Sequence, residues 1–345
     1  MNFNPVSRLA LSAAIVGLGS AAPVGAANAQ ALTVYCSVLE EWCQSMANAF
    51  TRETGVQVNI TRKGSGETFA QIRAEASNPR GDVWWGGTGD PHLQAAQEDL
   101  TEAYESPMLA ELQPWATQQA EQSEYKTVGI YAGALGFVYN TELLADAGLE
   151  APRCWADLIK PEFEGEVQMA NPMSSGTAYT ALATLVQLLG EDEAFEYLGA
   201  LNANINEYTR SGSAPASAAA RGETMVGVVF IHDGVTQVVG GFPVEVAAPC
   251  EGTGYEIGSM SLIKDGPNPE AARQWYDWAL TAAAQEVGAA SQSFQVPSNV
   301  NAAIPEDAPD LEEIELIEYD FVKYGDTAER DRLLGRWDSE IGSRN

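Results

Sequence analysis

From Leu32 onward the chain alternates short apolar runs with longer stretches whose apolar residues recur every three or four positions. Leu32-Thr33-Val34-Tyr35 is an apolar run of strand length. Glu40 to Glu53 then places Trp42, Met46, Ala49 and Phe50 on one helical face, and Gly55 stops it. Val56, Val58 and Ile60 alternate as a strand, and Thr68 to Asn78 turns Phe69, Ile72 and Ala76 inward up to Pro79. Asp82-Val83-Trp84-Trp85 is a third strand, ending in Gly86-Gly87-Thr88-Gly89-Asp90. Strands and helices in strict alternation with short connections predict a parallel sheet with right-handed crossovers.

The same texture returns from Gly129. Leu135 to Tyr139 and Val167 to Ala170 read as strands, and Thr177 to Leu189 as a helix with Leu182, Leu185, Val186 and Leu189 on its core stripe before Gly190. A small-residue helix at Ala214 to Arg221 leads to the apolar strand Met225 to Ile231. Glu256 to Ile263 is a further strand, Pro269 to Thr281 a helix with Trp275, Trp278 and Leu280, and Thr327 to Trp337 an amphipathic helix after the acidic stretch from Ile304. No repeat of solenoid period occurs. The pattern predicts two α/β lobes, residues 32–128 with 256–302 and residues 129–255 with 303–345.

Residues 1–31 differ from all of this. Arg8 precedes the apolar run Leu9 to Val16, and small residues follow to Ala27-Asn28-Ala29 and Ala29-Gln30-Ala31, the layout of a cleavable secretory signal peptide. The apolar run is far shorter than the ~20 residues of a spanning helix. Cys36 lies past the cleavage region, so the expected product is free in the periplasm rather than lipid-anchored. The remaining chain of about 315 residues exceeds one typical core and suits two lobes.

Composition narrows the partners. Eight Trp and 45% hydrophobic residues describe a folded protein, and 18 Lys+Arg against 48 Asp+Glu leave a net charge of -30. Such a charge argues against nucleic acid and anionic membrane surfaces. It does not argue against a small anion, because charges beyond a Debye length of roughly 8–10 Å are screened and local donors decide. The four cysteines enter an oxidising compartment, where two disulfides are the default. Of three possible pairings, Cys36 at a strand end and Cys43 in the next helix are close enough to join locally, which leaves Cys154 with Cys250.

Three strand-to-helix loops carry anion chemistry. Gly64-Ser65-Gly66-Glu67, Gly87-Thr88-Gly89-Asp90 and Asn171-Pro172-Met173-Ser174-Ser175-Gly176-Thr177 all sit where open α/β sheets bind ligands, outside the carboxyl ends of strands. Glycine admits an anion to the backbone, and Ser or Thr adds donors or caps the helix. None is a P-loop, because no Gly-Lys-Ser/Thr follows. A second cluster is Phe230-Ile231-His232-Asp233, with Glu256 about two dozen residues on. Asp233 and Glu256 suit hydroxyls or an ammonium, Arg210 suits an anion, and Trp84 and Trp85 offer a stacking face or core packing. Gly-x-Ser-x-Gly, His-Glu-x-x-His and a free Cys-His pair are absent, so no hydrolytic centre is expected. No cofactor is expected either, and zinc is disfavoured by the lack of CxxC or nearby His spacing.

Several of these words resemble a known family. Leu32-Thr33-Val34-Tyr35, Gly81-Asp82-Val83 with Trp84-Trp85, Gly136-Phe137-Val138-Tyr139-Asn140, Trp155-Ala156-Asp157-Leu158, Lys160-Pro161-Glu162-Phe163, Asn171-Pro172 and Gly252-Thr253-Gly254-Tyr255-Glu256-Ile257-Gly258 are similar to bacterial extracellular solute-binding proteins of the ferric-ion type. The resemblance implies a two-lobed periplasmic binding protein type 2 fold that closes by hinge motion on a ligand between the lobes, as a monomer delivering to the membrane permease of an ABC importer. Ferric binders of this family carry adjacent tyrosines after the strand that here ends Val228-Val229-Phe230, where this chain has Ile231-His232. Loss of two phenolate oxygens disfavours a hard cation. His232, Asp233 and Glu256 resemble instead the hexose-phosphate-binding branch. That likeness implies that the three hold sugar hydroxyls while Ser65, Ser174, Ser175, Gly176 and Thr177 hold phosphate. Alternatives are 2-aminoethylphosphonate, with Asp233 and Glu256 facing its ammonium, ferric ion, and a periplasmic phosphatase reusing the same cradle.

Overall fold

The computed structural model describes Met1, Asn2 and residues 31–344. The expected signal peptide lies outside them, apart from Met1, Asn2 and Ala31. The strands are β1 (Leu32–Cys36), β2 (Val58–Arg62), β3 (Val83–Trp85), β4 (Thr101–Glu102), β5 (Val128–Asn140), β6 (Val167–Ala170), β7 (Ile205–Thr209), β8 (Val226–Phe230), β9 (Val244–Ala247), β10 (Tyr255–Ile263) and β11 (Val296–Pro297). The helices that matter here are α1 (Glu40–Thr54), α2 (Ser65–Ala74), α3 (Gly89–Gln97), α4 (Pro114–Gln122), α5 (Thr141–Ala147), α6 (Gly176–Leu189), α7 (Glu191–Asn204), α8 (Ala214–Ala220), α9 (Ile231–Val239), α10 (Pro269–Ala279) and a C-terminal helix, Thr327–Glu340. Among the described residues no helix is long and apolar enough to cross a membrane.

Strands run in the order β2-β1-β3-β10-β5-β8-β6-β7. As the sequence predicts, β1 pairs parallel with β2 and β3, and β6 pairs parallel with β7 and β8. β5 joins the two sets. Its first part, Val128 to Ala134, pairs antiparallel with β10, and Leu135 to Tyr139 pairs with β8. All thirteen of its residues are buried. Burial on both faces explains why only its second part was legible: Val128-Gly129-Ile130-Tyr131-Ala132-Gly133-Ala134 shows no alternation to mark it as a strand. A lobe boundary drawn at residue 129 therefore falls inside β5.

Each half has its own core. Trp42, Met46, Phe50, Trp85, Met260 and Trp275 pack together in the first, with Trp42 edge-on to Trp85 at 4.9 Å and Phe50 edge-on to Trp275 at 5.1 Å. Such offset contacts are the favourable ones for aromatic quadrupoles. Phe137, Trp155, Tyr179, Leu182, Leu185, Val228, Leu333 and Trp337 fill the second, so the C-terminal helix belongs to this core. Both expected disulfides form, Cys36–Cys43 across 7 residues and Cys154–Cys250 across 96. Trp84 and Trp85 are both core residues: Trp84 stacks on His92 at 3.6 Å and donates to Ser37 Oγ at 3.0 Å. Neither serves as a stacking face for a ligand.

A cleft ringed by helix N-termini

Helices from both halves begin at one cleft: α1 after Leu39, α8 after Ser213, and four others that carry the expected site residues. α2 starts after Gly64 and α3 after Thr88, and neither has a side-chain cap, so their first N–H groups stay free. α6 starts after Ser175, whose hydroxyl accepts from Ala178 N at 3.3 Å. α9 starts after Phe230 and carries His232 and Asp233 in its first turn. This last start differs from the expectation of a strand from Met225 to Ile231: the strand ends at Phe230, and Ile231 already opens the helix. Ile231 is β-branched and no Gly, Pro or Ser/Thr cap stands before it, so the sequence gives no start signal there. Each helix adds partial positive charge and orphan donors at its opening turn.

The cleft holds a cavity of about 50 Å³ that opens to solvent. The first half contributes Ser37, Arg62, Ser65, Gly87, Thr88, Tyr131, Glu256 and Gln295. The second contributes Ser175, Gly176, Thr177, Ser211, Gly212, Ser213, His232 and Asp233. Thr88 N donates to Ser65 Oγ at 3.2 Å, and Gly87 N donates to the Tyr131 hydroxyl at 2.9 Å. Thr88 Oγ1, His232 Nδ1 and Gln295 Oε1 are buried without any hydrogen-bond partner. Buried polar atoms are normally satisfied, so three orphans around one cavity mark a place for a polar ligand.

Arg62 is the cation of this cleft. It ends β2, anchors its Nε on Val38 O at 2.9 Å and reaches across to Ser211 Oγ at 3.0 Å. Sequence reasoning passed over it, because Thr61-Arg62-Lys63 reads as an ordinary solvated strand end. Tyr131 and Gln295 were missed too, both inside runs with no motif.

The other wall is ionisable. His232, Asp233 and Glu256 are all buried, and Gly133 opposite Glu256 leaves room for the imidazole, since a Cβ there would strike the ring. His232 Nε2 lies 3.7 Å from Glu256 Oε1 and 4.0 Å from Asp233 Oδ1, within ion-pair range but too far to hydrogen-bond. Burial drives the imidazole down to about 3 and the Asp233 carboxyl up to about 7, the latter tempered by Arg62. Burial, then the Asp233 and Asp90 charges, pushes Glu256 well above the usual range. Desolvation thus outweighs pairing, and the ring is neutral with one donor and one acceptor to offer.

Four expected contacts lie elsewhere. Arg210 and Glu67 pair with each other on the rim, and the Arg210 side chain is 85% exposed. Ser174 Oγ has its one proton between Asn171 O at 3.2 Å and Arg210 O at 3.1 Å, so its hydroxyl is spent within its own half. Gly66 faces the opposite half directly: a Cβ there would lie 2.7 Å from Met173 O. Gly64 does the same against Ser174 O, and Gly176 against Thr88 and Ser65. The halves therefore touch across the cleft, and glycine is what permits it.

Two α/β halves sharing a strand and meeting at a cleft ringed by helix N-termini define a binding protein that holds its ligand between lobes. The chain matches the bacterial extracellular solute-binding protein family over residues 88–324 and belongs to it. It is 44% identical over 344 residues to an uncharacterized protein of Haemophilus influenzae, spanning 99% of each chain. It is also similar to the periplasmic binding protein AfuA from Actinobacillus pleuropneumoniae, solved with exogenous fructose-6-phosphate bound. That similarity has a TM-score of 0.88 and 45% identity over 90% of this chain and 98% of that one. Iron-bound HitA from Pseudomonas aeruginosa shares the fold at 20% identity and a TM-score of 0.75, over 89% of this chain and 98% of that one. The protein is thus a periplasmic solute-binding component of an ABC transporter, a class that captures small ligands for a membrane permease and is not enzymatic.

Proposed function

We propose that the cleft binds a phosphorylated sugar, a hexose phosphate. The observation that carries this reading is that one cleft is lined both by a first wall of helix N-termini with Arg62 and by a second of the buried His232, Asp233 and Glu256. A phosphate suits the first wall. Backbone N–H groups at Ser65, Gly176 and Thr177, hydroxyls of Ser65, Thr88, Ser175 and Thr177, and the Arg62 guanidinium supply charge-assisted donors. Arg62 takes the neutralising role expected of Arg210. Sugar hydroxyls suit the second wall, because each both donates and accepts, as do a neutral imidazole and a carboxyl group that titrates near neutrality. The 45% identity to a protein solved with fructose-6-phosphate supports the same reading.

The remaining parts of the proposal concern handling of the ligand. The chain is exported by its first 31 residues, works as a monomer, and closes lobes 32–128 with 256–302 and 129–255 with 303–345 about β5 before docking on its permease. A ferric ion is poorly served, since a hard cation wants ionised oxygens and burial holds the carboxyls here toward their protonated forms. Titration calorimetry with glucose 6-phosphate, fructose 6-phosphate, 2-aminoethylphosphonate and inorganic phosphate tests the assignment. Tight binding of a sugar ester, weaker for phosphate alone, is expected. Heat from phosphate or the aminophosphonate but from neither ester would defeat it.

A further inference from the structure

Behind the cleft, α3 and α6 continue as two polar faces. Asp90, Gln94 and Gln97 share one face of α3, and Thr177, Thr180 and Thr184 share one face of α6. Asp90, Gln94, Thr180 and Thr184 are buried, yet Asp90 Oδ1, Gln94 Oε1, Thr180 Oγ1 and Thr184 Oγ1 have no partner. Segment 319–327 meets the α3 face. The Tyr319 hydroxyl donates to Asp90 Oδ2 at 3.2 Å, Gln94 Nε2 to Tyr324 O at 3.4 Å, and Thr327 N to Gln97 Oε1 at 3.0 Å. Arg330 lies buried behind, its guanidinium 5.4 Å from the Tyr179 ring and its Nε unpartnered.

These bonds join the two halves. Tyr319 and Tyr324 belong to the second core, whereas Ala95 of α3 packs with Phe69, Trp84 and Ile263 of the first half. A permanently buried interface is stabilised by apolar side chains, and orphaned polar atoms in one cost stability. Faces that part and meet again within one chain are more polar than permanently joined ones. Burial pushes the Asp90 carboxyl up to about 7, against the Tyr319 hydrogen bond and the Arg330 charge, which fits a group that would ionise freely once the interface parted.

We propose that the Asp90-Gln94-Gln97 face of α3 and segment 319–327 form a seam that makes and breaks as the halves close and open, with Gln94 and Tyr319 acting as positioning residues for Thr88 and Thr177 at the ligand. This rests on the reading that a ligand closes the two halves, and not on which ligand it is.

The test compares wild type with Gln94→Ala and Tyr319→Phe, using fructose 6-phosphate as probe in stopped-flow and calorimetry, and the melting point of the unliganded chain as control. Dissociation roughly 3- to 30-fold faster, with the unliganded melting point unchanged, is expected. Unchanged dissociation overturns the seam, as does a fall in melting point that accounts for the lost affinity. If wild type binds none of the esters, the sugar-phosphate reading fails separately. The seam is then judged by solution scattering of the unliganded wild-type chain: a profile broader than these touching halves give supports a seam that parts, and a profile that matches them overturns it.

Discussion

The two walls of the cleft differ in what they are made of. One is backbone and hydroxyl, held by the starts of α2, α3 and α6, and its polarity is permanent because it comes from the helices themselves. The other is three buried ionisable side chains whose protonation depends on what faces them. A permanent field suits a ligand group that is always charged. Adjustable groups suit hydroxyls, whose pattern distinguishes one sugar from another. The first wall should therefore set strength and the second choice.

Closing the first wall depends on space. A Cβ on Gly176 would meet the Thr88 side chain and sit 3.0 Å from Ser65 Oγ, where opposite halves touch. Gly176→Val should hold the cleft ajar at a cost of about 1–3 kcal/mol, toward a hundredfold loss of affinity. Calorimetry should show that loss for sugar ester and inorganic phosphate alike. A loss confined to the ester would mean that Gly176 belongs to the discriminating wall.

The second wall should respond selectively. His232→Ala and Asp233→Ala each remove a buried hydrogen-bonding group, a change of about 1–2 kcal/mol, or roughly 5- to 30-fold for the sugar ester. Inorganic phosphate should bind both variants nearly as it binds wild type. Equal losses for both ligands would erase the distinction between the walls.

The same contrast governs what was readable in the sequence. Gly64-Ser65-Gly66, Gly87-Thr88 and Ser175-Gly176-Thr177 announce themselves because strand-to-helix loops need small polar residues for local reasons, and the ligand uses what the loop already has. Parallel strands β1, β2, β3, β6 and β8 were legible from their apolar runs. β7, with only Thr209 buried, carries too weak a pattern to stand out. Arg62, Tyr131 and Gln295 were not legible, since their place in the cleft comes from register and from the crossing of β5 between halves. Arg210 and Glu67 show the converse: both have the right chemistry in the right loops, but the contact of the halves turns them toward each other on the rim.

Titration of the second wall gives a smaller effect. Asp233 in the folded chain titrates at about 7 against a usual 3.8. Its contribution to stability is then fully present below about pH 4 and is lost as pH rises through 7, at about 1 kcal/mol per unit between the two. Asp233→Asn removes that loss, so the unliganded variant should melt above wild type at pH 7.5, with the gap narrowing toward pH 5. The comparison is made between variants because His232, depressed to about 3, works in the opposite sense in both. A gap independent of pH would show that Asp233 is not held protonated by burial.

Arg210→Ala should have the smallest effect. Its partner Glu67 is on the opposite half, so the pair spans the mouth of the cleft and favours closure. The guanidinium is nevertheless mostly in water, where screening and side-chain entropy leave exposed pairs with little net energy. Affinity for the ester should fall less than about fivefold, and more of that fall should vanish as salt is raised. A loss above tenfold, persisting at high salt, would place Arg210 on the ligand's phosphate, because only a desolvated contact resists screening. The rim would then fold inward over the bound ester, and the first wall would hold two arginines where, among the described residues, Arg62 is the one arginine that lines the cleft.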